Sequence, residues 1–174
     1  GAGALNACTT ASDNVAVGRN SLAVNTTGAN NTALGFKALD ANTTASNNTA
    51  VGFDALTANT TGDSNVAVGN NAADANTTGT GLVALGMGSL GSNTTASSNT
   101  AAGFNSLTNN TTGSQNSAFG NQALEANSTA DNNTACGFKA LEANTTGASN
   151  VAVGALALDN NTTASNNTAV GYNS

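Results

Sequence analysis

Residues 31–47 read Asn-Thr-Ala-Leu-Gly-Phe-Lys-Ala-Leu-Asp-Ala-Asn-Thr-Thr-Ala-Ser-Asn, and residues 133–149 read Asn-Thr-Ala-Cys-Gly-Phe-Lys-Ala-Leu-Glu-Ala-Asn-Thr-Thr-Gly-Ala-Ser. The two stretches lie 102 residues apart, which is six periods of 17. A glycine marks the same phase at 1, 18, 35, 52, 69, 86, 103, 120, 137, 154 and 171, so the period runs without insertion or deletion. Such self-similarity is the signature of a stacked-repeat architecture. Counted from the residue four before each glycine, units start at 14, 31, 48, 65, 82, 99, 116, 133, 150 and 167. Residues 1–174 form one repeat region, and both ends fall inside a unit. With no atypical capping unit in sight, the chain reads as a section of a longer fibre.

Helix is disfavoured, because every unit carries Gly, Asn and paired Thr or their near equivalents, all poor helix formers, and two-helix repeats are longer. Val, Thr, Phe and Leu alternating with small residues favour strand. A strand is expected over Asn65-Val66-Ala67-Val68, ended by Gly69, and a second short strand over Ala55-Leu56-Thr57. The Asn-Thr-Thr-Gly-x-Asn stretch then turns the chain, since Asn and Gly tolerate left-handed dihedrals. The expected fold is therefore all-β: a parallel β-solenoid (β-roll) with one 17-residue coil per unit. Ten coils stacked about 4.8 Å apart make a rod of about 48 Å.

The columns of the stack carry the packing argument. Position 3 of the unit is Ala throughout, from Ala16 to Ala169. Position 4 is Val17, Leu34, Val51, Val68, Leu85, Ala102, Phe119, Cys136, Val153 and Val170. Position 9 is Leu from Leu5 to Leu158, except at Ala73. Side chains alternate faces along a strand, so positions 3 and 4 point opposite ways and both are apolar. A strand apolar on both faces is expected to be buried on both. One face fills a thin coil; the other is expected to be covered by other copies of the same chain.

Composition narrows the function. Three basic residues (Arg19, Lys37, Lys139) stand against nine acidic ones for a net charge of −6, which disfavours binding to nucleic acid through its phosphates. No apolar run approaches the about 18 residues of a membrane span. With no His and 7% charged residues, the chain has few parts for acid–base, nucleophilic or metal chemistry. We expect no enzyme activity, no cofactor and no metal.

The Asn-x-Ala-Val-Gly core (Asn48 to Gly52, Asn65 to Gly69, Asn150 to Gly154) resembles the head repeats of trimeric autotransporter adhesins. The full 17-residue form, with Asn-Thr-Thr-Gly between cores, is similar to repeat tracts of bacteriophage tail-fibre and bacterial surface proteins. The resemblance spans the chain and implies a left-handed parallel β-roll, three chains wide, in an extracellular, cell-surface or virion appendage. The implied role is an adhesin head or tail-fibre shaft, with host-surface or glycan receptors met by modules outside this chain. The 17-residue period is longer than that of the adhesin heads.

Candidate sites are few. The position-12 asparagines Asn25, Asn42, Asn59, Asn76, Asn93, Asn110, Asn127, Asn144 and Asn161 each begin Asn-Thr-Thr or Asn-Ser-Thr. Stacked amides can bond up and down a ladder; each is also an acceptor motif for N-glycosylation. Asn30, Asn47, Asn132 and Asn166 add further motifs. A glycosylated extracellular filament is thus the alternative function. An ice-binding solenoid is a second, although adjacent Thr26-Thr27 and Thr43-Thr44 should send one of each pair inward.

The position-10 acids Asp40, Asp74, Glu125, Glu142 and Asp159 are interrupted by Ala23, Thr57, Gly91 and Thr108; they read as a solvated edge, with Lys37–Asp40 and Lys139–Glu142 pairs. Gly86-Met87-Gly88 lacks the Gly-Lys-Ser/Thr of a phosphate loop. The aromatics Phe36, Phe53, Phe104, Phe138 and Tyr172 read as corner packing, or as a sugar stripe broken by Asn70, Asn121 and Ala155. Cys8 lies in the position-12 column and Cys136 in the apolar position-4 column, as a small core residue. Their coils are about 36 Å apart along the axis, too far for a disulfide.

If 17 residues are the structural unit, deleting residues 48–64 joins Asn47 to Asn65 in phase and only shortens the rod. Deleting residues 48–55 offsets every later column and drives Asn into the interior without partners. Thermal denaturation should show an almost unchanged midpoint for the first deletion and a sharply lower one for the second.

Overall fold

A computed structural model describes residues 1–174. It has no helix and ten strands of three residues each: β1 Val15–Val17, β2 Thr32–Leu34, β3 Thr49–Val51, β4 Val66–Val68, β5 Val83–Leu85, β6 Thr100–Ala102, β7 Ser117–Phe119, β8 Thr134–Cys136, β9 Val151–Val153 and β10 Thr168–Val170. They form one parallel sheet in sequence order. Register advances by one period at each step: Val66 pairs with Val83, Ala67 with Ala84, Val68 with Leu85. The expected β-solenoid of 17-residue coils is the observed fold.

The strands are shorter than the turns between them, and the turns stack too. Of 109 backbone hydrogen bonds only 18 lie within the strands, so coil-to-coil cohesion is distributed around the whole circuit. In the turn after β3, Asp54 N donates to Phe36 O (3.0 Å), Leu56 N to Ala72 O (3.0 Å) and Ala58 N to Asp74 O (3.1 Å). Farther round, Thr60 N donates to Thr77 O (2.9 Å). Every circuit thus satisfies backbone groups that a buried loop would otherwise leave unpaired.

The expected second strand at Ala55-Leu56-Thr57 is not formed; that segment is a turn. Leu56 has φ 51°, with Asp54 at φ 53° two residues before it. The same alternation places Leu22, Leu39, Leu90, Leu107, Leu124 and Leu141 at positive φ. A left-handed leucine costs about 1–2 kcal/mol, whereas full burial of its side chain gains about 1.5–3 kcal/mol. Leu56 is 0% exposed and its N–H is bonded, so burial wins. The position-5 glycine has a stricter reason. Gly52 has φ 144°, and a Cβ there would collide with the Gly69 carbonyl of the next coil.

The interior is thin and filled by small and branched side chains. Ala33, Ala50, Ala67, Ala84, Ala101, Ala118, Ala135 and Ala152 are all 0% exposed, as are the position-8 Ala or Ser residues from Ser21 to Ala157 and the position-9 leucines from Leu22 to Leu141. Ser is accepted at position 8 because its hydroxyl donates to the carbonyl three residues back, as Ser89 Oγ does to Gly86 O at 2.9 Å. One coil departs from the pattern. Ala73 replaces Leu at position 9, and the following unit has Leu82 in place of Asn at position 1; both are buried in the common core.

The outward face behaves differently from the expectation of two buried faces. In the single chain, position 4 points away from the core: Val17 is 53%, Leu34 46% and Phe119 46% exposed. Cys136, expected as a small core residue, is exposed for the same reason. Along the Asn-Thr-Thr stretch, the inward residue is the Asn. Thr43 is half-buried and Thr44 exposed, so neither member of the pair enters the core.

Ala67→Leu should cost about 1–3 kcal/mol, because it adds bulk to a filled coil. Asp63→Asn should stay within about 0.5 kcal/mol, since an amide oxygen can still accept from Ser46 N as the carboxylate does at 2.6 Å. Chemical denaturation of both variants checks the contrast.

Candidate functional site

Two lines of asparagine amides run along the rod, at position 12 from Asn25 to Asn161 and at position 1 with one break at Leu82. At position 12, from Asn42 onward, each Nδ2 donates to the Oδ1 of the Asn one coil earlier: Asn42 to Asn25 (2.9 Å), Asn59 to Asn42 (3.1 Å), Asn93 to Asn76 (3.0 Å), Asn144 to Asn127 (3.1 Å). The same nitrogen also donates to the carbonyl three residues on, as Asn42 does to Ala45 O at 3.0 Å. Both amide hydrogens are therefore engaged. Asn25, Asn42, Asn59, Asn76, Asn93, Asn110, Asn127 and Asn144 are 0% exposed, and Asn161 closes the series on Asn144 at 3.0 Å. A sugar on one of these eight enclosed nitrogens would displace a hydrogen bond to the ladder or to its own turn. The other acceptor motifs differ, because Asn30, Asn47, Asn132 and Asn166 are exposed.

The second ladder, at position 1, was not singled out from the sequence, although Asn recurs there in every unit except the one with Leu82. Here Oδ1 accepts the backbone N–H of the next coil, as Asn48 Oδ1 does from Asn65 N at 2.9 Å. The amide nitrogen crosses the coil: Asn65 Nδ2 donates to Gly79 O at 2.9 Å. Between the two ladders, position-13 hydroxyls add a third line, with Thr60 Oγ1 donating to Thr77 O at 3.0 Å.

The charged residues sit on the turns. Side chains at position 7 donate to the position-10 acids three residues on: Asn71 Nδ2 to Asp74 (2.9 Å), Gln122 Nε2 to Glu125 (2.6 Å), Lys139 Nζ to Glu142 (2.8 Å). The hydrogen bond that Lys139 donates to Glu142 raises the Lys139 pKa. The expected Lys37–Asp40 pair is absent; Lys37 Nζ instead lies 5.7 Å from the Phe36 ring centre. Asp54 Oδ1 is enclosed and accepts no hydrogen bond. Burial raises the Asp54 pKa above its ordinary 3.8, Lys37 opposes that shift, and Asp74 and Asp40 add to it. The folded coil therefore holds this proton more tightly than the unfolded chain, so the group favours the fold at low pH and that contribution is lost as pH rises through the raised value.

The aromatic column is a broken series of exposed rings: Phe53, Phe104, Phe138 and Tyr172 are 42–77% exposed, and Asn70, Met87, Asn121 and Ala155 interrupt them. Phe36 and Phe53 stack on each other with ring centres 5.1 Å apart and planes 21° apart. Arg19 covers Phe36 at 4.6 Å, and Lys139 lies 5.7 Å from the Phe138 ring centre. Cys8 and Cys136 are both free thiols. The outward side of the sheet is uncovered as well: positions 2 and 4 of all ten strands form one strip without a charged residue, mostly apolar at position 4 and Val, Thr or Ser at position 2. No protein family, curated protein or solved structure was found to match the chain.

Asn93→Ala removes a donor and an acceptor from the middle of the first ladder, leaving Asn76 Oδ1, Asn110 Nδ2 and Ala96 O without that partner. Each orphaned buried group costs about 1–3 kcal/mol. Thr95→Ala, on the exposed turn, should change stability by about 0.5 kcal/mol or less. A denaturation midpoint that fell equally for both would show that the ladder carries no special share of the stability.

Proposed function

We propose that the chain is a non-catalytic structural rod, a segment of an extracellular or virion-borne fibre such as an adhesin head or a tail-fibre shaft. The observation that carries this reading is the uncharged strip along the outward side of all ten strands, mostly apolar at position 4 and Val, Thr or Ser at position 2. The largest exposed patch of a protein is often a functional one, and this one continues along the whole rod. The repeat resemblance supplies the setting, at a cell surface or on a virion, and the arrangement of three copies around a common axis. The mechanism is geometric. Backbone and amide ladders along the axis hold a rod, the strip joins copies side by side, and the assembly projects whatever module it carries toward a host surface or glycan.

A glycosylated extracellular filament is the second reading, favoured by the exposure of Asn30, Asn47, Asn132 and Asn166. Its sugars would be confined to such exposed turns.

Light scattering across a concentration series tests the main reading. The mass should climb from 16.7 kDa toward three times that value. A folded chain that stays single at every concentration would remove self-association from the reading and leave the strip to a non-protein surface such as ice.

A further inference from the structure

We propose that the outward strip is a self-association surface whose strength is metered by the number of coils, with a second copy of this chain as its occupant. The inference rests on the fibre reading above and adds to it how long a rod must be before copies hold together. Positions 2 and 4 carry no charged residue in any strand, so closing two such faces removes no ion from water. The charges lie on the turns instead: Arg19 at position 6, Lys37 and Lys139 at position 7, the acids mostly at position 10. Val17, Leu34, Val68, Leu85 and Phe119 are 39–53% exposed along the strip. The one large projection, Phe119, pairs in the sheet with Ala102 on one side and Cys136 on the other. Its small neighbours leave room for side chains from a facing copy.

Every coil contributes nearly the same increment. A strand three residues wide covers about 10 Å, and the coil rise is about 4.8 Å, so ten coils present about 480 Å². Even counted with the Thr and Ser residues of position 2, that is within the about 300–600 Å² of the largest apolar patch on an ordinary monomer. It falls short of the about 800 Å² per partner of a standard specific interface, which about seventeen coils would reach. Ten coils therefore hold copies weakly, and lengthening the array in phase tightens the association without any new kind of contact.

The phase of the chain makes the test direct. Ser174 occupies position 8 and Leu5 position 9, so appending residues 5–174 after Ser174 continues the stack without a break. Sedimentation velocity on the 174-residue chain and on this tandem chain compares ten coils with twenty. The tandem chain should associate at concentrations lower by about a hundredfold or more. Val68→Lys with Val153→Lys, on the strip, should abolish association at both lengths. Thr78→Lys with Thr146→Lys, on the exposed turns, should leave it intact, and melting curves report whether each variant folds. Equal association by both lengths would overturn the metering and leave the fibre reading standing. A folded tandem chain that stays single at every concentration would overturn both. Association that survives the strip lysines would place the contact elsewhere and overturn the proposal.

Discussion

Stacking of like on like is the constraint from which the rest of the structure follows. A backbone or amide group in one coil finds its partner close to the equivalent residue in the next, as Asn59 finds Asn42 and Val66 finds Thr49. Such bonding works only while the period stays at 17, because an offset of even a few residues would set an amide against a leucine. The buried asparagines give this constraint its force. A misplaced Leu loses some packing, but a misplaced Asn in a dry interior loses hydrogen bonds to both neighbours and to its own turn. The ladders therefore specify the register that the small apolar columns alone would leave loose.

The local conformations are subordinate to that register. Glycine is held at position 5 because the next coil's backbone lies where a side chain would be, and leucine is held left-handed at position 9 because its burial outweighs the strain. The strands are only three residues long, too short to be stable as an isolated sheet. They persist because the turns on both sides are also stacked and bonded. Ala73 and Leu82 are where the columns depart from the consensus: position 9 loses bulk, position 1 of the next unit gains it, and the amide line is interrupted there.

The repeat, the β-solenoid class, the strand before each glycine and the position-12 ladder were all legible in the chain, because period and residue type alone carry them. Val66-Ala67-Val68-Gly69 could hardly be anything but a strand and its stop. Ala55-Leu56-Thr57 misled because an apolar residue between small ones has a strand's alternation, and nothing in a single leucine announces positive φ. Cys136 misled for a different reason. Alternation says that positions 3 and 4 face opposite ways, but which face water reaches depends on what covers the sheet, and one chain covers only the alanine side. Of the candidate glycosylation motifs, the sequence lists buried and exposed ones alike; only the fold separates Asn42 from Asn47, five residues apart.

The direction of the hydrogen bonds has a mechanical consequence. Because the strands lie across the rod, the ladders run along its length, and a pull on the two ends opens one rung set at a time instead of shearing many together. Each coil occupies about 4.8 Å of axis while folded. Its 17 residues reach about 56–61 Å when drawn out. A detached coil thus yields roughly 50 Å of slack, while its neighbours keep their own bonds. Under load, such a rod lengthens by graded unspooling, and on release each freed segment meets an intact coil that templates its return.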